Sequence, residues 1–307
     1  MEQITTVGID LAKNIFQVHA VDAAGRVVLQ KAFRRPQLVT FLQKLPACLV
    51  GLEACGSAHH WGRFLTQSGH HVRLIPPAYV KPYVRRQKND VADAAAICEA
   101  VTRPSMRFVP IKTEEQQAAL MLHRARSLLM SQRTALICAL RSHLAELGLT
   151  APRGVRNLRL LLDVLIDETD DSLPALARAA LRPLADQLAS MGARIAELDH
   201  QLLAWHRANA TSQRLATIPG VGPVTASALA ATVADPAMFA SGREFSAFLG
   251  LVPRQSSSGG KVKLGGISKI GDRYLRHLLV SGVVALFSHA RTRRGPLDIW
   301  AKGLMAK

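Results

Sequence analysis

Apolar and polar positions change their period several times along the first hundred residues, and each change marks an element. Ile4 to Asp10 is rich in β-branched residues, and Ile15 to Val21 follows with near alternation, so both read as strands. Gly25 supports a turn before Val27-Val28-Leu29. The apolar run Cys48 to Glu53 predicts another strand, and a helix is expected from about Ala58 to Gln67. His71 to Ile75 forms a short strand that Pro76-Pro77 ends, and Asp90 to about Val101 is helical and rich in alanine. Opening strands in a meander, followed by alternating strands and helices, predict a mixed-sheet α/β domain over residues 1–110.

The pattern then changes character. Leu122, Leu129 and Leu136 stand seven apart, and Leu140 and Leu147 continue the same broad face. Glu114-Glu115 place favourable charge at the start of this helix, and Gly148 and Pro152 end it. A second helix is expected from about Leu184 to Trp205, after an acidic stretch around Asp163 to Asp171. Two long helices over residues 111–208 read either as an antiparallel coiled-coil arm between two domains or as an ordinary bundle. A mostly α domain is expected over residues 209–307. It begins at Ile218-Pro219-Gly220-Val221-Gly222-Pro223, a helix-hairpin-helix-like signal in which Gly220 and Gly222 let backbone N–H groups approach a phosphate. Arg254 to Lys261 reads as a polar flexible loop, and a helix starts at Arg273.

Charge narrows the field. The 307 residues carry a formal net charge of +17, which favours a polyanionic partner through counterion release. The excess is uneven: 14 basic against 7 acidic residues over 1–110, 11 of each over 111–200, and 14 against 4 over 201–307. Cys48, Cys55, Cys98 and Cys138 show neither CxxC pairing nor matched Cys/His spacing, which argues against structural zinc and a disulfide framework. The N-terminal residues lack a signal-peptide pattern, and the longest uncharged apolar run, Leu278 to Ser288, is too short to span a bilayer. A soluble protein of a bacterial-type cytoplasm, associated with the nucleoid, is expected.

Asp10 lies within an apolar strand, where a charge is costly without a partner, and Glu53 ends another. Asp90 and Asp93 share one face at the start of a helix, although Asp90 would also serve as a cap and Asp93 as a solvated helix residue. Four carboxylates from two strands and one helix can form an oxygen-lined pocket suited to Mg²⁺ or Mn²⁺, and such ions serve phosphoryl transfer.

The contexts VGIDLAKN, GLEACG and KNDVADAAAI, with Asp10, Glu53, Asp90 and Asp93 in that order, resemble the DEDD insertion-sequence transposases of the "IS one-ten" type. The resemblance continues through IPGVGPVTA and GLVPRQSSSGGKVKLGGISKIGDRYLR and so covers essentially the whole chain. It implies an N-terminal domain similar to ribonuclease H and to the Holliday-junction resolvase RuvC, with the four carboxylates as catalytic metal ligands. Taken alone, Ser258-Gly259-Gly260 reads as a linker; by resemblance Ser258 is the nucleophile that joins covalently to DNA, with Ser257 its near competitor. Arg254, Lys261, Lys263, Lys269, Arg273 and Arg276 are then the expected nucleic-acid contacts beside Gly220 and Gly222. The resemblance further implies a guide noncoding RNA and a homo-oligomer, dimer or tetramer, in which acting carboxylates and serine belong to different protomers. The low aromatic content, 5%, offers no stacking platform for single strands.

Three other readings explain part of the pattern. A sugar- or acetate-kinase-like ATPase shares the first hairpin but requires a second Asp-Gly-rich phosphate loop that the sequence lacks. A non-catalytic DNA-binding protein leaves Asp10 and Glu53 unexplained. A structure-selective, RuvC-like nuclease acting by hydrolysis shares the carboxylates and has no use for the serine. His59-His60 and His70-His71 read as surface or phosphate-contacting, and Arg291 to Arg294 as a nucleic-acid contact.

Overall fold

The computed structural model describes residues 3–84, 89–290 and 295–305, so the basic run Arg291 to Arg294 lies outside the described residues. Contacts divide the chain into two compact units, residues 1–114 and 115–307.

The first unit is built on a five-stranded mixed sheet. Its strands are β1 (Thr6–Asp10), β2 (Ile15–Val21), β3 (Val27–Arg34), β4 (Leu49–Glu53) and β5 (His71–Ile75), in the order β3-β2-β1-β4-β5. β1, β2 and β3 form an antiparallel meander, whereas β4 pairs parallel with both β1 and β5. Helices α1 (Arg35–Lys44) and α2 (Ala58–Gln67) cover one face, where Val7, Ile9, Phe16, Val18, Val50 and Leu52 pack with Leu38, Leu42, Trp61 and Leu65. The four-residue helix α3 (Pro77–Val80) leads toward α4 (Asp90–Val101), which covers the other face with Ala96, Ile97, Ala100 and Val101. The pattern hid α1 because Pro36 reads as a breaker; it falls in the first turn, where a missing N–H costs nothing.

The contact between α4 and the sheet rests on two glycines. Gly8 of β1 and Gly51 of β4 are directly paired, and both turn toward α4. A Cβ on Gly8 would lie 2.3 Å from the Ala94 carbonyl oxygen and 2.4 Å from the Cys98 nitrogen; one on Gly51 would lie 2.8 Å from the Val101 Cβ. Only bare backbone lets the helix lie this close. On α4 the same economy appears as alanine and Cys98, and Cys98 Sγ approaches the Thr6 carbonyl at 3.9 Å. Burial pushes the thiols of Cys98 and Cys48 up to about 11, so both behave as small apolar side chains.

The second unit is almost entirely helical. Its elements are α5 (Glu114–Ala145), α6 (Val155–Ile166), α7 (Ala175–Ala208), α8 (Ala210–Leu215), α9 (Pro223–Thr232), α10 (Gly242–Phe248), the strands β6 (Pro253–Gln255) and β7 (Leu264–Ile267), α11 (Arg273–Ala290) and α12 (Pro296–Met305). Long helices α5 and α7 run antiparallel: Leu140 and Leu144 of α5 pack with Leu181, Ala185 and Leu188 of α7, while Arg126 and Glu115 reach Asp199 and Trp205. α6 closes the far end with Leu158, Leu161 and Leu165. The sequence pattern missed α6, because Asp163 lies inside the helix rather than in an acidic linker. It also began α7 too late: the helix runs through Pro183, held between the buried Leu181 and Ala185. Leu147 is exposed, since α5 ends before it. Among the described residues no helix is long and apolar enough to cross a membrane.

A buried polar chain ties these helices together. His123 of α5 is 1% exposed; its Nδ1 lies 3.1 Å from the Tyr274 hydroxyl of α11 and its Nε2 3.1 Å from Ser227 Oγ of α9. Ser227 Oγ donates to the Val224 carbonyl, so it accepts from His123 Nε2–H, and His123 Nδ1 accepts from Tyr274. Burial, with the Arg126 charge adding to it, lowers the His123 pKa to about 4.

Two outcomes follow from this packing. Gly8→Ala should destabilise the first unit by about 1–3 kcal/mol, read from denaturant unfolding, because a methyl group must displace helix backbone. The second unit should be most stable above pH 6.5 and lose up to about 3 kcal/mol as pH falls toward 4, because the unfolded chain takes up the His123 proton first. His123→Gln should flatten that slope in thermal melts taken across the same range.

Candidate active site

Asp10 is the last residue of β1 and Glu53 the last of β4. Because Ile9 pairs with Leu52 in parallel register, the two carboxylates follow at neighbouring strand ends, on the face that Gly8 and Gly51 turn toward α4. α4 runs antiparallel to β1, with Cys98 over Thr6 and Ala94 over Gly8, so its first turn arrives above Asp10. Asn89 caps this helix, accepting from the Ala92 amide at 2.8 Å, and Asp93 N–H donates to the Asn89 carbonyl. The cap is therefore Asn89, and the alternative of Asp90 as the cap falls away.

One carboxylate oxygen from each of Asp10, Asp90 and Asp93 lies within 4.8 Å of the other two. Asp10 and Asp93 are half-buried and Asp90 is exposed. Glu53 is half-buried at the adjoining strand end and is not part of that trio. Three negative groups at this spacing repel one another, and the hard oxygen donors fit a divalent cation that removes the repulsion.

The second unit presents its candidate residues differently. Gly220 has φ +81° in the turn between α8 and α9, and Gly222 caps α9 with its neighbourhood open. Gly220 also packs against α11, where a Cβ on Gly282 would lie 2.0 Å from the Gly220 carbonyl oxygen. The expected flexible loop is instead a β-hairpin of β6 and β7. At its tip Gly259 and Gly260, φ +55° and +76°, form a two-residue turn of type I′, closed by the Lys261 amide donating to the Ser258 carbonyl at 3.0 Å. Ser257 Oγ accepts from the Lys263 amide at 3.3 Å and from Gln255 Nε2 at 3.1 Å. Ser258 is exposed, and among the described residues its hydroxyl has no protein partner.

The hairpin base is tightly held. Ser268 N–H donates to Val252, Lys269 N–H to Gly250, and Lys269 itself adopts φ +56°. Arg276 donates to the Leu249 carbonyl at 2.8 Å, and Arg254 Nε to the Ser268 carbonyl at 3.3 Å. These two arginines thus spend donors on the protein, whereas Lys261, Lys263, Lys269 and Arg273 are exposed. Among the paired histidines, His70 is a core residue, with Nε2 3.0 Å from the Leu42 carbonyl, and His59 Nδ1 accepts from the Lys112 amide. His70 is therefore not a surface group.

An acidic trio at a sheet edge and a cationic helical unit fit a protein that acts on a polyanion. Comparison with known proteins agrees: residues 7–148 match the DEDD transposase profile of the IS110 type, and residues 212–295 match that of the "Transposase IS116/IS110/IS902 family". The chain is 47% identical over 305 residues to a "Probable family 20 transposase" of Pseudomonas aeruginosa, covering 99% of this chain and 90% of that one. It is 41% identical over 307 residues to the "Transposase for insertion sequence element IS1328" of Yersinia enterocolitica, covering 100% and 91% of the two chains. It is 40% identical over 307 residues to the corresponding protein of element IS1111A in Coxiella burnetii, covering 100% and 84%. The chain belongs to the IS110-type family of insertion-sequence transposases and is a DNA transposase.

Sequence reasoning missed the His123–Tyr274–Ser227 chain, the Arg276 clasp and the hairpin itself. Arg276→Ala should loosen the hairpin base, raising hydrogen exchange at the Ser268 and Lys269 amides about tenfold or more and leaving the α4 amides unchanged.

Proposed function

We propose that this transposase cuts and rejoins DNA with a divalent cation, Mg²⁺ or Mn²⁺, held by Asp10, Asp90 and Asp93 with Glu53 beside them, and with Ser258 as nucleophile. The observation that carries the reading is the convergence of three carboxylates from a strand end and a helix start. The strand order β3-β2-β1-β4-β5, with antiparallel and then parallel pairing, supports a ribonuclease-H-like domain, and the two neighbouring strand ends supply its acidic edge. A cation bound there polarises the scissile phosphate and favours the ionised serine.

Ser258 Oγ attacks phosphorus, and the bond from phosphorus to the departing sugar oxygen breaks as that oxygen takes up a proton. The phosphoserine link keeps the energy of the phosphodiester, so a sugar hydroxyl can later displace the serine and rejoin the strand without ATP. The difference between the two serines supports this assignment: Ser257 Oγ is engaged within the hairpin, and Ser258 Oγ stands at its tip. Lys261, Lys263 and Arg273 supply exposed positive charge, and Gly222 opens α9 with N–H groups, as a helix-hairpin-helix contact to phosphate requires. Membership of the family supports the remaining parts of the reading. A noncoding RNA guides target and donor choice, with the protein reading backbone and shape. The protein works as a dimer or tetramer, with α5 and α7 as a coiled-coil arm in its assembly.

A recombination assay in cells, with the element and its flanking noncoding DNA, tests the reading. Asp10→Ala and Ser258→Ala should each abolish joining, and Ser258→Ala should also abolish the covalent protein–DNA adduct. Ser257→Ala should keep the adduct at reduced yield, because it loses only a hairpin tether. Joining by Ser258→Ala alongside an inactive Asp10→Ala would instead favour resolvase-like hydrolysis.

A further inference from the structure

Beside the carboxylate trio stands a polar side chain that the mechanism above does not use. Gln17 of β2 pairs directly with Asp10 of β1 in antiparallel register, so the two side chains leave the same face of the sheet. Its strand neighbours Phe16 and Val18 point into the opposite core, which fixes Gln17 on the α4 side. α4 also packs over β2, and Gln17 is only 8% exposed. Its amide nonetheless makes no hydrogen bond to the protein among the described residues.

The polar atoms of the amide are not shut off from solvent, so they stay open to a further partner beside Asp10. A lysine there would compete with a cation for the carboxylates, and an aspartate would add a further like charge. An amide does neither: its NH₂ group donates to an anionic oxygen while adding no net charge.

We propose that Gln17 is a substrate-contacting residue of this site, its side-chain NH₂ donating to a non-bridging oxygen of the phosphate that the transposase cuts and rejoins. The contact rests on the reading of Asp10, Asp90 and Asp93 as the catalytic cluster. Charge builds on the non-bridging oxygens as serine attacks, so a neutral donor beside the carboxylates stabilises that state. The rung geometry fixes the position of the residue: Gln17 pairs with Asp10 on one side and Ala32 of β3 on the other, and two backbone ladders hold its strand.

The test uses purified full-length protein, RNA transcribed from the element's noncoding flank, and a synthetic donor DNA carrying the element ends. The joined phosphate carries a single phosphorothioate in one or the other configuration. Gln17→Met keeps the shape and removes the donor; Gln17→Glu keeps the shape and reverses the interaction. Both should lower the joining rate roughly 10²-fold, and Gln17→Met should leave Mn²⁺ affinity unchanged. One phosphorothioate configuration should slow the wild type, and that slowing should vanish in Gln17→Met. Wild-type joining by both variants would overturn the proposal. So would a sulfur effect that persists in Gln17→Met, or a loss of Mn²⁺ affinity matching the loss of rate, which would mean that Gln17 only orients Asp10. Asp10→Ala run in parallel separates the two readings: if it joins DNA, the carboxylate assignment fails, and if it is inactive while Gln17→Met joins normally, only the Gln17 contact fails.

Discussion

Backbone lying directly on backbone is the constraint on which the first unit depends. At the Gly8–Gly51 pair the sheet has no side chains toward α4, and the helix occupies the space they would fill. This contact has no rotamers and therefore little freedom to drift, unlike a layer of leucines that can repack. Its position matters as much as its closeness. The paired glycines lie two residues before Asp10 and Glu53, so the helix is clamped immediately behind the acidic edge. The first turn of α4, with Asp90 and Asp93, is thereby set over the strand ends. The Asn89 cap completes the arrangement by fixing where the helix starts. The chain thus builds an acidic site with few residues of its own by making the surrounding backbone inflexible.

The second unit solves a different problem by different means. Its long helices are joined by leucine clusters at the far end and by a polar chain near the other, where His123, Tyr274 and Ser227 connect three helices. A hydrogen-bonded chain specifies one rotational setting of each helix, which apolar packing alone does less strictly. Glycine again marks close approaches, at Gly220 against Gly282 and at Gly250 and Gly271 against each other's segments. The hairpin that carries Ser258 projects from a base held by the amides of Gly250, Leu251, Ser268 and Lys269.

How much of this the sequence revealed depended on the kind of signal. Strands β1, β2 and β5 and helices α2 and α4 were legible because β-branched alternation and alanine-rich periodicity reflect burial directly. Asp10 and Glu53 stood out for the opposite reason, as charges on apolar strands, and Asp90 and Asp93 only as neighbours on one helix face. The cap at Asn89 was not separable from Asp90, since both are good capping residues and only geometry decides. β6 and β7 escaped notice because they are three and four residues long and exposed, so alternation carries no information there. Gly8 and Gly51 read as weak points in strands rather than as seats for a helix. Gln17 was invisible because a polar residue in an alternating strand ordinarily faces water.

The hairpin has one more consequence, for the fate of damaged copies of such an element. Every residue from Pro253 to Gly266 is exposed, so the tip contributes nothing to either core. Lesions there leave the acidic edge, the helices and their buried polar chain intact. On the role proposed for Ser258, a gene altered only at that serine encodes a chain that still folds but cannot complete a joining event. Where such copies share a cell with sound ones, their products would occupy the same DNA ends unproductively. Decay of the element would then restrain the spread of its remaining working copies.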